Sequence, residues 1–173
     1  MPLDSEFEWI ESGIDEWERR FSQLNIEMST VQADNKATTK LAERSIENIE
    51  KVIDLLRRAE RLEKQYGDWI EALPPSWVVR TSDWTEFEPS DLAASLVCPG
   101  KVYTFGDLWM ANKYNVARSC RILIWSTILR CIAWLTGPND YMMASQYIEG
   151  SRKCRTLIEE ITASVPFVRI SFT

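Results

Sequence analysis

The feature that most restricts the fold is a long run of apolar residues at helical spacing between residues 36 and 73. Apolar side chains recur there at intervals of three and four, which places them on one face of an α-helix. They are Leu41, Ile46, Ile49, Val52, Ile53, Leu55, Leu56, Ala59, Leu62, Tyr66, Trp69, Ile70 and Leu73. Pro74 and Pro75 end the pattern, since proline lacks the amide hydrogen that a helix interior needs. The pattern predicts one long amphipathic helix.

The same stretch also permits a coiled-coil interpretation. One heptad position would hold Leu41, Leu55, Leu62 and Trp69, and the other Val52, Ala59, Tyr66 and Leu73. Asn48 and Ser45 interrupt these two series, and the apolar face is wider than a strict seam. These features favour packing inside the protein's own domain, and a homodimer is the alternative.

A second amphipathic helix is predicted over residues 1–32. Its apolar stripe is Phe7, Ile10, Ile14, Trp17, Phe21, Leu24 and Met28, and its acidic stripe is Glu8, Glu11, Asp15 and Glu18. The acidic stripe is typical of a solvated helix face. The apolar stripe has two interpretations: the helix docks on the protein's own core, or it binds a protein partner. In the second case the candidate interaction face is Phe7, Ile10, Ile14, Trp17 and Phe21.

Two further helices are predicted in the second half of the chain. One begins at Thr104, whose hydroxyl can cap the amide of Asp107, and ends near Leu135 before Gly137-Pro138. The other is capped by Asn139 or Asp140 and ends before Pro166.

The segment 74–103 is rich in proline and tryptophan, with a short helix predicted over 92–97 and capped by Ser90. Almost no alternating strand pattern is present. The predicted fold is therefore all-α. It is an irregular helical bundle with three or four long helices and one Trp/Pro-rich connecting segment. Residues 33–173 are predicted to form one helical domain.

The residue types that catalysis most often uses are scarce. The chain has no histidine, which removes imidazole-based triads and histidine-containing zinc sites. Its four cysteines never approach Cys-x-x-Cys spacing, and no glycine motif for phosphate is present. We therefore expect no enzymatic activity, no cofactor and no metal.

Charge is unevenly distributed along the chain. Residues 1–32 carry a net charge of −6 and residues 101–173 one of +4, which is too diffuse to predict a DNA-binding surface. The amino terminus lacks a signal-peptide pattern. The stretch Ile122–Leu135 is interrupted by Arg130 and is interpreted as a core helix rather than a membrane span. These observations predict an intracellular, cytoplasmic protein that is not secreted.

Three stretches in order carry a family resemblance. Leu73-Pro74-Pro75-Ser76-Trp77 follows a long helix, the segment 103–124 contains a Leu-Trp, Asn, Arg-x-x-Arg-Ile-Leu pattern, and Ala163-Ser164-Val165-Pro166-Phe167 comes near the end. Over residues 40–167 this set resembles the all-helical region downstream of the DNA-binding domain in fungal zinc binuclear cluster transcription factors. The six-cysteine zinc cluster of that family is missing, and the family's continuation after Ser-Val-Pro-Phe is replaced by residues 168–173.

The resemblance implies a non-catalytic regulatory or protein-interaction module, with partners that include the transcription machinery and with no direct DNA binding. It implies a nuclear location and a chain that is part of a longer protein. Trp109, Arg118, Arg121, Pro166 and Phe167 fall at family-motif positions, where packing and internal salt bridges are the expected roles. The alternative function is a helical self-association or adaptor protein unrelated to transcription.

Overall fold

Four α-helices make up most of the computed structural model, which describes residues 4–41, 43–85, 100–137 and 141–170. The helices are α1 (Asp4–Thr38), α2 (Ile46–Glu71), α3 (Leu108–Thr136) and α4 (Ser145–Ile170). A two-stranded antiparallel sheet joins β1 (Arg80–Thr85) to β2 (Gly100–Thr104). The side chains of residues 4–14, 83, 85, 169 and 170 lie outside the described part. The all-α fold class is confirmed, with this small sheet in addition.

The helices α1, α2 and α3 contact one another and enclose most of the core. Tyr66 of α2 contacts Asn25 of α1, and Arg58 contacts Asp34, so α1 and α2 run antiparallel. Glu63 of α2 pairs with Arg121 of α3, while the turn after α1 meets the end of α3, so α2 and α3 are antiparallel as well. It follows that α1 and α3 run in the same direction.

The apolar pattern of α2 faces this core. The buried residues of α2 are Val52, Leu55, Ala59, Leu62, Tyr66 and Trp69, and Leu73 is buried just after the helix. Apart from Leu41, which is half-buried in the turn before α2, both heptad series are covered by the protein's own α1 and α3. Burial of each large apolar side chain contributes roughly 1.5–3 kcal/mol, so this face of α2 contributes strongly to the stability of the bundle.

Helix α3 lies between the other helices and contacts all three of them. Within the described residues it is the one helix that is long and apolar enough to match a membrane span by length and composition. The same properties are expected of a helix that is surrounded on several sides by other helices. Gly137 ends α3 with a φ of 104°, a backbone conformation that glycine adopts at little cost.

Helix α4 packs antiparallel along α3, on a different side from α1. Glu160 pairs with Arg118 near one end, and Gly150 sits against Trp125 and Leu129 near the other. A Cβ atom at position 150 would lie only 2.8 Å from Leu129 Cδ2 and 2.9 Å from Trp125 Cε3. The absence of a side chain at Gly150 thus lets the two helices approach closely.

The predicted helix boundaries in the first half need correction. The proposed boundary between residues 32 and 33 falls inside α1, which continues to Thr38. The second helix was expected from residue 36 but begins at Ile46, where Ser45 accepts a hydrogen bond from the Asn48 amide. Tertiary contacts of the intervening turn, described below, override the continuous helical pattern.

The second half differs in three places. Thr104 belongs to β2 and donates to the Arg80 carbonyl, so Asp107, not Thr104, caps α3 and accepts from the Met110 amide at 2.8 Å. The two short strands were missed. Helix α4 does not end before Pro166, because Phe167 continues it and packs 5.3 Å from Phe105.

Tertiary packing thus outweighs the proline penalty at position 166. The predicted short helix over 92–97 with its cap at Ser90, and the caps Asn139 and Asp140, lie outside the described residues.

Candidate protein-interaction surface

The outer side of α3 carries a stripe of exposed apolar residues. Trp109, Val116 and Leu123 are spaced by seven and are 38%, 36% and 48% exposed. Residues seven apart lie on the same side of a helix, so they form one stripe. The intervening positions Asn112, Ser119 and Ser126 are also exposed, which leaves this side of α3 open.

Helix α4 carries a neighbouring stripe. Ile158 and Val165 are 51% and 42% exposed. Asn115 bonds Ser164 at 2.8 Å, so Val116 and Val165 lie at the same level of the helix pair. A cavity of about 410 Å³ lies between α3 and α4, and its lining includes Ser126 and Cys154.

The two stripes therefore border one another. We name Val116, Leu123, Ile158 and Val165 the α3–α4 face.

Basic side chains lie on the same two helices as this face. Arg130 of α3 and Arg152 and Arg155 of α4 are exposed. Within the described part of the chain, no ion pair involves any of these three arginines. Arg130 donates from Nη1 to Asn35 Oδ1 at 3.3 Å. Exposed apolar side chains on helices that also carry cations without an ion pair are suited to an acidic amphipathic segment.

Arg118 is buried at the junction of α3, α4 and the sheet. It is 4% exposed, and its Nε donates to Glu160 Oε2 at 3.0 Å while Nη1 donates to Asn115 Oδ1 at 3.2 Å. The guanidinium lies 5.4 Å from the Tyr103 ring and 5.2 Å from the Tyr114 ring. Two aromatic rings and two polar partners compensate the buried charge, which gives Arg118 a positioning role between α4 and β2.

Arg121 makes the corresponding contact to α2. Its Nε donates to Glu63 Oε1 at 3.0 Å, Nη2 donates to the same oxygen, and Trp125 Nε1 also donates to it at 3.0 Å. The two motif arginines thus pair with carboxylates on different helices. Arg118 joins α3 to α4, and Arg121 joins α3 to α2.

The other family-motif positions pack at the same end of the molecule. Trp109 lies 5.0 Å from Trp77 and 5.1 Å from the Lys113 ammonium. Phe167, one residue after Pro166, contacts Phe105. Trp109 therefore has one ring contact inside the core region while its outer edge is exposed.

The candidate face of α1 is placed differently from the α3–α4 face. Phe21 is 4% exposed, with its ring 4.7 Å from Trp69, and Trp17 lies 5.1 Å from Trp77. These two residues pack on the protein's own helices and are not available to a partner in this arrangement. The side chains of Phe7, Ile10 and Ile14 lie outside the described residues.

The thiols that the structure describes are free, and two have shifted acidities. Burial raises the pKa of the Cys131 thiol to about 11, and burial also raises the pKa of Cys154. A raised pKa keeps each sulfur protonated at neutral pH, and the protonated thiol is the unreactive form. Among the described residues, no group of three or more cysteines and carboxylates is placed to hold a metal ion.

Comparisons with protein-family models, curated proteins and solved structures found no match to this chain. Sequence reasoning singled out Arg118 and Arg121 but missed the α3–α4 face. The seven-residue spacing of Trp109, Val116 and Leu123 was visible, yet exposure depends on where α1 and α4 dock, which the spacing does not contain.

Proposed function

We propose that the protein is a non-catalytic regulatory module that binds a protein partner through the α3–α4 face. The observation that carries the proposal is the exposed apolar stripe of Val116, Leu123, Ile158 and Val165, on two helices that also carry exposed arginines without an ion pair. Apolar side chains at the centre of a contact and charges at its rim are the usual arrangement of a protein interface.

The partner segment that best fits this face is an acidic amphipathic helix. Its apolar residues would cover Leu123 and Ile158, and its carboxylates would meet Arg152 and Arg155. The family resemblance supports the same kind of function and adds the proposal that the partner belongs to the transcription machinery, with the protein acting in the nucleus. In this proposal the chain contacts proteins and not DNA.

A tethered reporter assay tests the proposal. The chain is fused to a heterologous DNA-binding domain in a fungal reporter strain, and wild type is compared with Leu123→Asp/Ile158→Asp. One aspartate on α3 and one on α4 would be buried by the partner, which should reduce partner affinity by at least about tenfold. The effect of the tethered chain on the reporter should then be lost.

Ile26→Asp/Ile46→Asp is the matched control, since Ile26 and Ile46 are 63% and 79% exposed on α1 and α2. Circular dichroism melts establish that both double variants are folded. Wild-type reporter output from Leu123→Asp/Ile158→Asp, or equal loss from the control, contradicts the proposal. Arg152→Glu/Arg155→Glu should weaken the effect in the same direction if the partner segment is acidic.

A further inference from the structure

The turn between α1 and α2 lacks the residues that normally end a helix. Between Gly13 and Gly67 the sequence has neither glycine nor proline. The turn, residues 39–45 with residue 42 outside the described part, contains Lys40, Leu41, Glu43 and Arg44. Lysine, leucine, glutamate and arginine all have high helix propensity, so local preference alone would continue α1 into α2.

Contacts with the end of α3 hold the turn instead. Trp134 Nε1 donates to the Leu41 carbonyl at 3.1 Å. Arg44 Nη2 donates to the Leu135 carbonyl, and its guanidinium lies 5.5 Å from the Trp134 ring. Leu135 is in the last turn of α3, where carbonyl groups lack a partner within the helix. Arg44 and Trp134 therefore stabilise the turn through tertiary contacts.

The turn's own contacts join residues that are close together in the sequence. Thr38 and Thr39 donate from their hydroxyls to carbonyls three residues back, and Asn48 Nδ2 donates to the Glu43 carbonyl at 2.9 Å. Such side-chain bonds to the backbone compete with a continuous helix but do not prevent it. The bend thus depends mainly on Arg44 and Trp134.

The surface that α1 covers is suited to the same helix from another copy. Polar contacts recur along α1 and α3 in one register: Glu18 with Lys113, Asn25 with Cys120, Gln32 with Thr127 and Asn35 with Arg130. Each pair is 95 residues apart, and the first three follow at seven-residue intervals. Polar pairs at such positions fix the register and direction of a helix, so they select a helix with the sequence of α1.

We propose that α1 exchanges between two copies of this chain. In the exchanged dimer the turn straightens, α1 and α2 form one long helix, and α1 of each copy packs on α2 and α3 of the other. All contacts of α1 with α2 and α3 are kept. The contacts of Arg44 and Trp134 with the turn are lost, together with the Ser45 cap and the Asn48–Glu43 hydrogen bond. This is domain swapping through a helical hinge, and it is independent of the α3–α4 face.

Arg44→Ala/Trp134→Phe tests the exchange. The substitutions remove hydrogen bonds that exist only in the bent form. The association constant of the dimer should therefore rise at least about tenfold. Light scattering across a concentration series measures the rise. Adding Lys40→Gly/Glu43→Gly should return the protein to monomer, because glycine disfavours the straight helix.

A labelled cross-link then separates exchange from ordinary association. Equal amounts of ¹⁴N and ¹⁵N protein are unfolded, mixed and refolded, and a carbodiimide joins Glu18 to Lys113, whose side chains lie 3.2 Å apart. In the exchanged dimer, some cross-linked pairs join a ¹⁴N peptide that contains one of these two residues to a ¹⁵N peptide that contains the other. Same-chain links only, or a folded double variant with an unchanged dimerisation constant, overturns the proposal.

If Arg44→Ala/Trp134→Phe does not fold by circular dichroism, Thr38→Ala/Thr39→Ala decides the question. These substitutions raise helix propensity in the hinge and leave α3 intact. They should also raise the dimerisation constant and give mixed-label links. A folded monomer without mixed-label links overturns the proposal in the same way.

Discussion

Helices α1 and α4 both pack along α3, but through different chemistry. Helix α4 approaches α3 closely at Gly150 and is fixed by the buried Arg118–Glu160 pair. Helix α1 meets α3 through a row of polar pairs and buries its apolar side chains, such as Phe21, mainly against α2. Helix α4 therefore forms a fixed unit with α3, whereas the contacts of α1 can also be made by α1 of a second copy.

The largest expected effect comes from the α4 side. Arg118→Ala removes a buried ion pair and two ring contacts and leaves Glu160 without its cation, so it should lower the free energy of unfolding by about 3 kcal/mol. Urea denaturation measures the change. Arg152→Ala, at an exposed position of α4, should change stability by less than about 0.5 kcal/mol. Equally small effects of Arg118→Ala and Arg152→Ala would show that the Arg118–Glu160 pair does not fix α4.

Gly150→Val tests the close approach of α3 and α4. The new side chain must displace Leu129 or Trp125, which should lower the free energy of unfolding by about 2 kcal/mol. Gly67→Ala is the matched glycine control, since a Cβ at position 67 meets nothing within 4 Å. That substitution should stabilise the protein slightly, because alanine favours helices. A stabilising Gly150→Val would mean that α4 sits farther from α3.

Alkaline pH tests the interior that α1 and α2 cover. The pKa of Cys131 rises from its ordinary value of 9.0 to about 11 in the folded protein. The folded state therefore retains the proton longer, and the resulting stability is present below pH 9 and lost as pH rises to 11. Between these two pH values the free energy of unfolding of Cys131→Ala should fall by about 2 kcal/mol less than that of the wild type. Identical pH profiles from urea titrations of both proteins would contradict the burial of this thiol.

The smallest expected effect lies in the α1 contact. Asn25 Oδ1 accepts from the buried Tyr66 hydroxyl at 2.8 Å, so Asn25→Ala should lower the free energy of unfolding by about 1 kcal/mol. Adding Tyr66→Phe removes the unpaired hydroxyl and should recover part of the loss. No recovery in the double variant would show that Asn25 acts through another contact.

The sequence predicted the parts of the fold that depend on periodicity. The apolar series of α2 and the stop at Pro74 are visible locally. The structure buries the part of that series from Val52 to Trp69 that faces α1 and α3, whereas Ile46 at the start of the helix is exposed. The α1–α2 turn, the continuation of α4 through Pro166 and the two strands were not predicted. Each depends on a distant partner, namely Trp134 for the turn, Phe105 for Phe167, and strand pairing between β1 and β2.

The candidate surface was harder to predict than the fold. Arg118 and Arg121 stood out by spacing, but the choice of Glu160 and Glu63 as their partners comes from packing. The apolar stripe of α1 and that of α3 look alike in sequence. Only the docking of α1 against Tyr66 and Trp69 separates a covered stripe from an exposed one.

Native-state hydrogen exchange tests the central claim, which is that α1 separates from a unit in which α3 and α4 stay together. Amides of α1 from Leu24 to Val31 are compared with amides of α4 from Leu157 to Ser164 under weakly denaturing conditions. The account predicts that α1 exchanges through an opening of lower free energy than α4, with a small denaturant dependence. Equal protection of both helices, with exchange only by global unfolding, would contradict it.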